Sequence, residues 1–175
     1  RWIEKGDQIG DYARDKLLAE IVAFANADGG TLIVGIEETK DEPRRAEAPN
    51  PLPRCHNLAK RLLDAAEDVI EPRLPLLLSR GVPINEQDDG FVVVRVDKSI
   101  AGPHRLTTTR EFYIRRGERT AKMTVPEIRE LVLSLARTGD RIDSALQARR
   151  DTAEAMFRRL GRVELQDRQS PALLI

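Results

Sequence analysis

A single cysteine, Cys55, in 175 residues excludes an intrachain disulfide and leads to the expectation of a reducing, cytoplasmic compartment. No apolar run approaches the roughly 20 residues that span a bilayer, so neither a membrane span nor a membrane partner is expected. Net charge is absent as well. The 29 Lys and Arg balance 29 Asp and Glu, so any nucleic-acid surface has to be local rather than global. There is no G-x-x-x-x-G-K-[S/T] run, and hence no Walker-type ATP site. Cys55, His56 and His104 are too few and too scattered to predict a zinc site, and each is read as structural or exposed. Internal repeats and low-complexity tracts are missing. The chain starts Arg1-Trp2-Ile3-Glu4, with no methionine and no signal peptide, and ends on the apolar Pro171-Ala172-Leu173-Leu174-Ile175. A fragment of a longer protein is expected.

What the chain does contain is enough for one domain with a core of its own and an appendage. Leu17, Leu18, Ile21, Val22 and Ala25 recur at helical spacing and predict a helix from about Asp11 to Asn26, stopped by Asp28-Gly29-Gly30. Thr31 to Ile36 is β-branched and apolar and reads as a buried strand. Glu37 to Pro53 reads as a polar, proline-bearing loop. A second helix is predicted from Asn57 to Val69, with Leu58, Leu62, Leu63 and Ala66 on one stripe. Leu74 to Ile84 and Phe91 to Val96 are predicted strands, the latter with Val92, Val94 and Val96 on one face. Arg105 to Arg115 is its expected partner. Thr124 and Glu127 form a capping box ahead of a helix bearing Ile128, Leu131, Val132 and Leu135. A last helix is predicted from about Arg141 to Leu160. Strands and helices mix without strict alternation, which favours an α+β fold with a mixed β-sheet and packed helices over a doubly wound one.

Three motifs stand in register. Ala23-Phe24-Ala25-Asn26-Ala27-Asp28-Gly29-Gly30-Thr31-Leu32-Ile33-Val34-Gly35-Ile36-Glu37-Glu38 resembles the helix–Gly-Gly–strand core of the Schlafen family's AlbA-like domain. Glu111-Phe112-Tyr113-Ile114-Arg115-Arg116-Gly117-Glu118-Arg119-Thr120 resembles that family's late Y-Y-I-R-x-G-S-x-T segment. The helix opening at Met123-Thr124-Val125-Pro126-Glu127-Ile128 follows in the family's order. The resemblance implies a Schlafen AlbA-like domain over residues 1–138 and leaves a C-terminal helix and tail over 139–175. It further implies a nucleic-acid partner, RNA or DNA, and in bacteria a setting in regulatory or defence proteins. The divergent-AAA label that some relatives carry would imply an ATP site, which these residues do not supply.

From the residues themselves, Gly29-Gly30 is a helix stop before a strand, since a phosphate cradle needs glycines that open a helix. Between His104 and Lys122 stand Arg105, Arg110, Arg115, Arg116, Arg119 and Lys122 against only Glu111 and Glu118. Guanidinium groups reach phosphates bidentately, and Tyr113, on the strand face of Arg115, could stack on an unpaired base. Arg105, Tyr113, Arg115, Arg116, Arg119 and Lys122 are therefore the candidate nucleic-acid contacts, weighed against a charged edge strand that merely stays soluble. The family's nucleases use three carboxylates to hold a divalent ion. The resemblance places one at Glu37, with Glu38 adjacent, and another at Glu4, with Lys5 standing for the motif's lysine. Its first carboxylate would precede Arg1. Glu4 and Glu37 are thus the candidate ligands for Mg²⁺ or Mn²⁺. Three readings follow in order: a nucleic-acid-binding module, a metal-dependent endoribonuclease, and an interaction module that dimerises through its late helix.

Overall fold

The computed structural model describes residues 3–4, 8–39 and 45–160. They form an α+β fold in which antiparallel ladders are packed with helices. Two compact units divide the chain, residues 1–135 and residues 136–175.

Helix α1 spans Asp11–Ala25 and buries Leu17, Leu18, Ile21, Val22 and Ala25, the stripe its periodicity predicts. It ends at Asn26. The chain then reverses at Gly29, whose φ of +78° belongs to the left-handed region and whose Cβ would stand 2.7 Å from the Val96 carbonyl oxygen. Only glycine meets both demands. The pair β1 (Ile3–Glu4) and β2 (Gln8–Ile9) precedes α1.

The central sheet runs β3 (Gly30–Val34), β8 (Gly90–Val96), β7 (Leu77–Pro83), all antiparallel. On β8, Val92, Val94 and Val96 are buried as their alternation predicts. The strand after Gly-Gly is not buried on both faces as expected: Ile33 is 49% exposed and Thr31 is exposed. One face of the sheet is covered by α2 (Cys55–Val69), which packs on β7 and β8 through Leu58, Ala59, Leu62 and Ala66. The opposite face, with Ile33, Leu78 and Val82, is exposed. The apolar run reflects strand propensity rather than two-sided burial.

Three further expectations change. The proline-bearing loop contains a ladder, β4 (Ile36–Glu38) against β5 (Ala46–Pro49), with a register shift between Glu37 and Glu38. The Arg105–Arg115 segment does not pair with β8, because β3 and β7 already occupy both its edges. Instead β9 (Arg105–Leu106) pairs with β6 (Ile70–Glu71), and β10 (Tyr113–Arg116) forms a hairpin with β11 (Arg119–Lys122). Finally, the break expected between a helix after Thr124 and another from Arg141 is absent, and α3 runs from Val125 to Leu160. Gly139 lies inside it. An interior glycine costs only about 1 kcal/mol relative to alanine, which the run of good helix formers ahead of it, Leu135, Ala136 and Arg137 among them, outweighs. Among the described residues no helix is long and apolar enough to cross a membrane.

Candidate nucleic-acid interface

The basic segment folds into the β10–β11 hairpin, whose register sets Arg115 opposite Thr120 and Arg116 opposite Arg119. The loop between the strands is Gly117-Glu118, with Gly117 at φ +59°, the pattern of a two-residue primed turn. Alternation along the strands gives the hairpin two different faces.

The face carrying Tyr113, Arg115 and Thr120 is turned to α1. The Arg115 guanidinium donates to the Glu20 carboxylate, to Thr120 Oγ1 at 3.2 Å and to the Glu118 carbonyl at 2.8 Å. It also lies 4.9 Å from the centroid of the Phe24 ring. Thr120 Oγ1 donates to the same Glu20 oxygen at 2.6 Å. Arg115 thus clamps hairpin to helix, with several of its donors already used. Tyr113 packs on the core cluster, and its hydroxyl reaches Thr109 Oγ1 at 3.4 Å.

Asn26 fastens the same junction. Its Nδ2 donates to the carbonyls of His104 at 2.8 Å and Tyr113 at 2.9 Å, while its Oδ1 accepts the His104 amide at 2.8 Å. The asparagine of the Ala-Phe-Ala-Asn run therefore joins the end of α1 to two segments about 80 residues away. Fully buried His104 bonds the Pro72 carbonyl and Ser99 Oγ, each at 2.7 Å. Burial lowers its pKa below the usual histidine value, against the upward pull of the Pro72 carbonyl.

The other face is outward. Arg116 and Arg119, both exposed, are directly opposed near the turn, an arrangement of like charges that disfavours the hairpin by itself. Glu127 offsets it. Its carboxylate takes Arg116 and, at 2.7 Å each, the amide and hydroxyl of Thr124, which starts α3. These bonds, the Thr124 amide foremost, depress the Glu127 pKa from 4.5 to about 2. Lys122, opposite Tyr113 at the other end of the hairpin and on the face of Arg115 and Thr120, is nevertheless exposed and donates to Glu111 at 2.8 Å, a bond that raises the lysine's pKa. Arg105, directly across the ladder from Glu71, donates to it at 2.9 and 3.2 Å. At least four of the six cations are therefore ion-paired, three of them to Glu20, Glu71 and Glu127, which lie outside the segment. Sequence counting missed these partners because they lie outside the counted segment, Glu20 and Glu71 far from it in the chain.

The candidate carboxylates are less gathered. Glu37 and Glu38 are exposed neighbours on β4, and Glu37 Oε1 accepts Asn50 Nδ2 at 3.0 Å. Glu4 lies on β1 opposite Gln8, but its side chain and the whole of Lys5 lie outside the described residues. Among the described residues, neither Glu37 nor Glu38 belongs to a group of three metal-ligating side chains. The group that does form is Cys55, His56 and Asp88, with ligand atoms within 4.8 Å of one another. Asp88 Oδ1 accepts the His56 ring at 2.5 Å and the Cys55 thiol at 3.3 Å, while its carbonyl accepts the Cys55 amide at 2.8 Å. Asp88 thereby closes the start of α2. Burial and then this carboxylate hold the Cys55 thiol above its ordinary pKa, so it stays protonated, and the His56 bond holds Asp88 below its own.

A family model described as "Schlafen, AlbA_2" matches residues 1–124. No curated protein matches the chain. Among solved structures, the crystal structure of the DIP2311 protein from Corynebacterium diphtheriae is 24% identical over 69% of this chain, with a TM-score of 0.41. This chain spans 23% of that one.

Proposed function

We propose that this chain, which belongs to the Schlafen AlbA_2 family, binds the phosphate backbone of RNA or DNA through the outward face of its β10–β11 hairpin. The observation that carries the reading is the cross-strand pair Arg116–Arg119 at the hairpin turn, with Lys122 exposed on the same strand as Arg119. Two opposed guanidinium groups are an unfavourable thing to build unless an anion approaches them. The carboxylate that now holds Arg116 is no obstacle. Arg116 and Glu127 are 51% and 33% exposed, and ion pairs of this kind contribute only about 0–1 kcal/mol. A backbone phosphate, whose two non-bridging oxygens take a guanidinium bidentately, competes with that easily.

Within this reading the candidate residues divide by role. Arg116 and Arg119 contact phosphates from the outward face, and Lys122, exposed at the far end of β11 opposite Tyr113, contacts them from the hairpin's edge. Arg105, exchanging Glu71 for phosphate, extends the footprint along β9. Arg115 is a positioning residue that holds the hairpin against α1, and Tyr113 supports it from the core side. The test is fluorescence anisotropy with labelled tRNA and labelled duplex DNA over a series of salt concentrations. Binding should fall steeply with salt, and Arg116→Ala with Arg119→Ala should reduce the log–log slope by about 0.7–0.9 per contact removed. Binding indifferent to salt, or a slope the pair leaves unchanged, refutes it.

The metal-dependent endoribonuclease reading ranks second. It would use Glu37 and Glu4 as ligands for Mg²⁺ or Mn²⁺, with Glu38 in reserve and Lys5 beside the phosphate. Its support is the pair of exposed adjacent carboxylates on β4. Adding Mn²⁺ to the same tRNA mixtures tests it, since Glu37→Gln should abolish any metal-dependent fragments.

A further inference from the structure

We propose that residues 139–156 of α3 form an antiparallel coiled coil with a second copy of this chain. The described part of the 136–175 unit is a helix and nothing else, and it leaves large apolar side chains uncovered. Ile142 is 41% exposed, Leu146 52%, Met156 61% and Phe157 55%. Helices in proteins draw most of their stability from packing an apolar face rather than from propensity, and this stripe is what packing against a partner would use.

The stripe has the spacing of a coiled-coil seam. Gly139, Ile142, Leu146, Arg149, Ala153 and Met156 follow one another at alternating steps of three and four residues, the a and d positions of a heptad. Steps of three and four keep these positions on one narrow side of the helix, the seam that a second helix packs against. The identities of these residues then choose the orientation. In a parallel, in-register pair, each seam residue meets its own copy. Arg149 would face Arg149 in the seam, and Gly139 would face Gly139 and leave a hole. In the antiparallel pair, each small residue meets a large one: Gly139 packs under Met156 of the second copy, and Ile142 over its Ala153. Leu146 packs along the aliphatic stem of Arg149, whose charged end reaches out to solvent.

Charge agrees with size. In the antiparallel register, Asp143 flanks the seam opposite Arg150 of the second copy, and the two-fold axis repeats that pair. In the parallel register, Asp143 meets Thr138 and Arg150 meets Ala145, so neither charge finds a partner. The surface is thus self-complementary in one orientation, as a closed two-fold dimer requires. The overlap, about 26 Å long, has room for three mirrored layers on each side of the axis. This inference does not rest on the nucleic-acid reading.

Sedimentation equilibrium of the full chain over a wide concentration range is the test. A reversible monomer–dimer equilibrium is expected, and Leu146→Glu with Met156→Glu should leave only monomer while circular dichroism shows the fold intact. Asp143→Arg alone and Arg150→Asp alone should each weaken association by about tenfold, and the two together should restore it. Within one helix these residues are seven positions apart, about 10 Å, too far to pair with each other, so the rescue reads a contact between copies. A single-chain mass at every concentration overturns the proposal. So does a dimer indifferent to Leu146→Glu and Met156→Glu, and a charge swap without rescue overturns the antiparallel register.

Discussion

Replacing Asn26 by alanine should be among the most damaging single changes this domain can suffer. Asn26 is 5% exposed and its side chain makes three hydrogen bonds, to the His104 carbonyl, the Tyr113 carbonyl and the His104 amide. Each bond is worth about 1 kcal/mol net, and each main-chain group left buried without a partner adds part of its desolvation penalty. The expected loss is about 3–5 kcal/mol, a large share of the 5–15 kcal/mol that stabilises a typical domain. Urea unfolding of both proteins measures it, with the midpoint shifted and the slope unchanged. Asn26→Asp separates hydrogen bonding from shape. It keeps the acceptor for the His104 amide but turns the donor into a second acceptor facing two carbonyl oxygens, so it should be no milder than alanine. A loss below about 1 kcal/mol in Asn26→Ala would refute the view that this residue staples α1 to the segments that carry the basic hairpin.

Other outcomes follow from the same geometry. His104 is buried with a lowered pKa, so the unfolded chain takes up its proton more readily than the folded one. Its contribution to stability is therefore complete above the ordinary histidine pKa of about 6.5 and is lost as pH falls below it; denaturation in buffers across that range should show the loss, and His104→Gln should flatten it. Glu127 behaves likewise at lower pH: with its pKa depressed from 4.5 to about 2, its support of Thr124 and Arg116 is present above 4.5 and disappears as pH approaches 2. Thr124→Ala should cost about 1 kcal/mol by weakening the start of α3, measurable by thermal unfolding. Arg115→Ala should lower both stability and nucleic-acid affinity, whereas Arg119→Ala should lower affinity with a melting temperature within about 1–2 °C of the parent, since exposed surface changes rarely exceed 0.5 kcal/mol.

The division of the cations bears on how such a surface works. On a protein with formal charge +0, an uncompensated basic patch would bind any polyanion. Carboxylates at Glu71, Glu111 and Glu127 hold the exposed cations in defined positions and surrender them only to a ligand that offers more than one weak ion pair. Such exchange favours closely spaced phosphates over isolated anions.

By itself the sequence determined whatever depends on near neighbours. The 3.6-residue spacing of Leu17, Leu18, Ile21, Val22 and Ala25 defined α1 and its buried stripe, and Asp28-Gly29-Gly30 defined where it stops. The alternation of Val92, Val94 and Val96 marked the inner face of β8, and the motifs placed the family. These features are local because helix period, strand period and turn chemistry are written in consecutive residues. The tertiary structure alone decided which strand lies beside which. Strands β3 and β7 fill both edges of β8, and the basic segment is left to pair with itself. It alone brought Glu20 to Arg115 across 95 positions and Asn26 to His104 across 78. Closing such loops depends on where the whole core forms, so no short pattern announces the partner. For that reason a segment that reads as six cations against two anions folds into a surface on which most of the charges are already held.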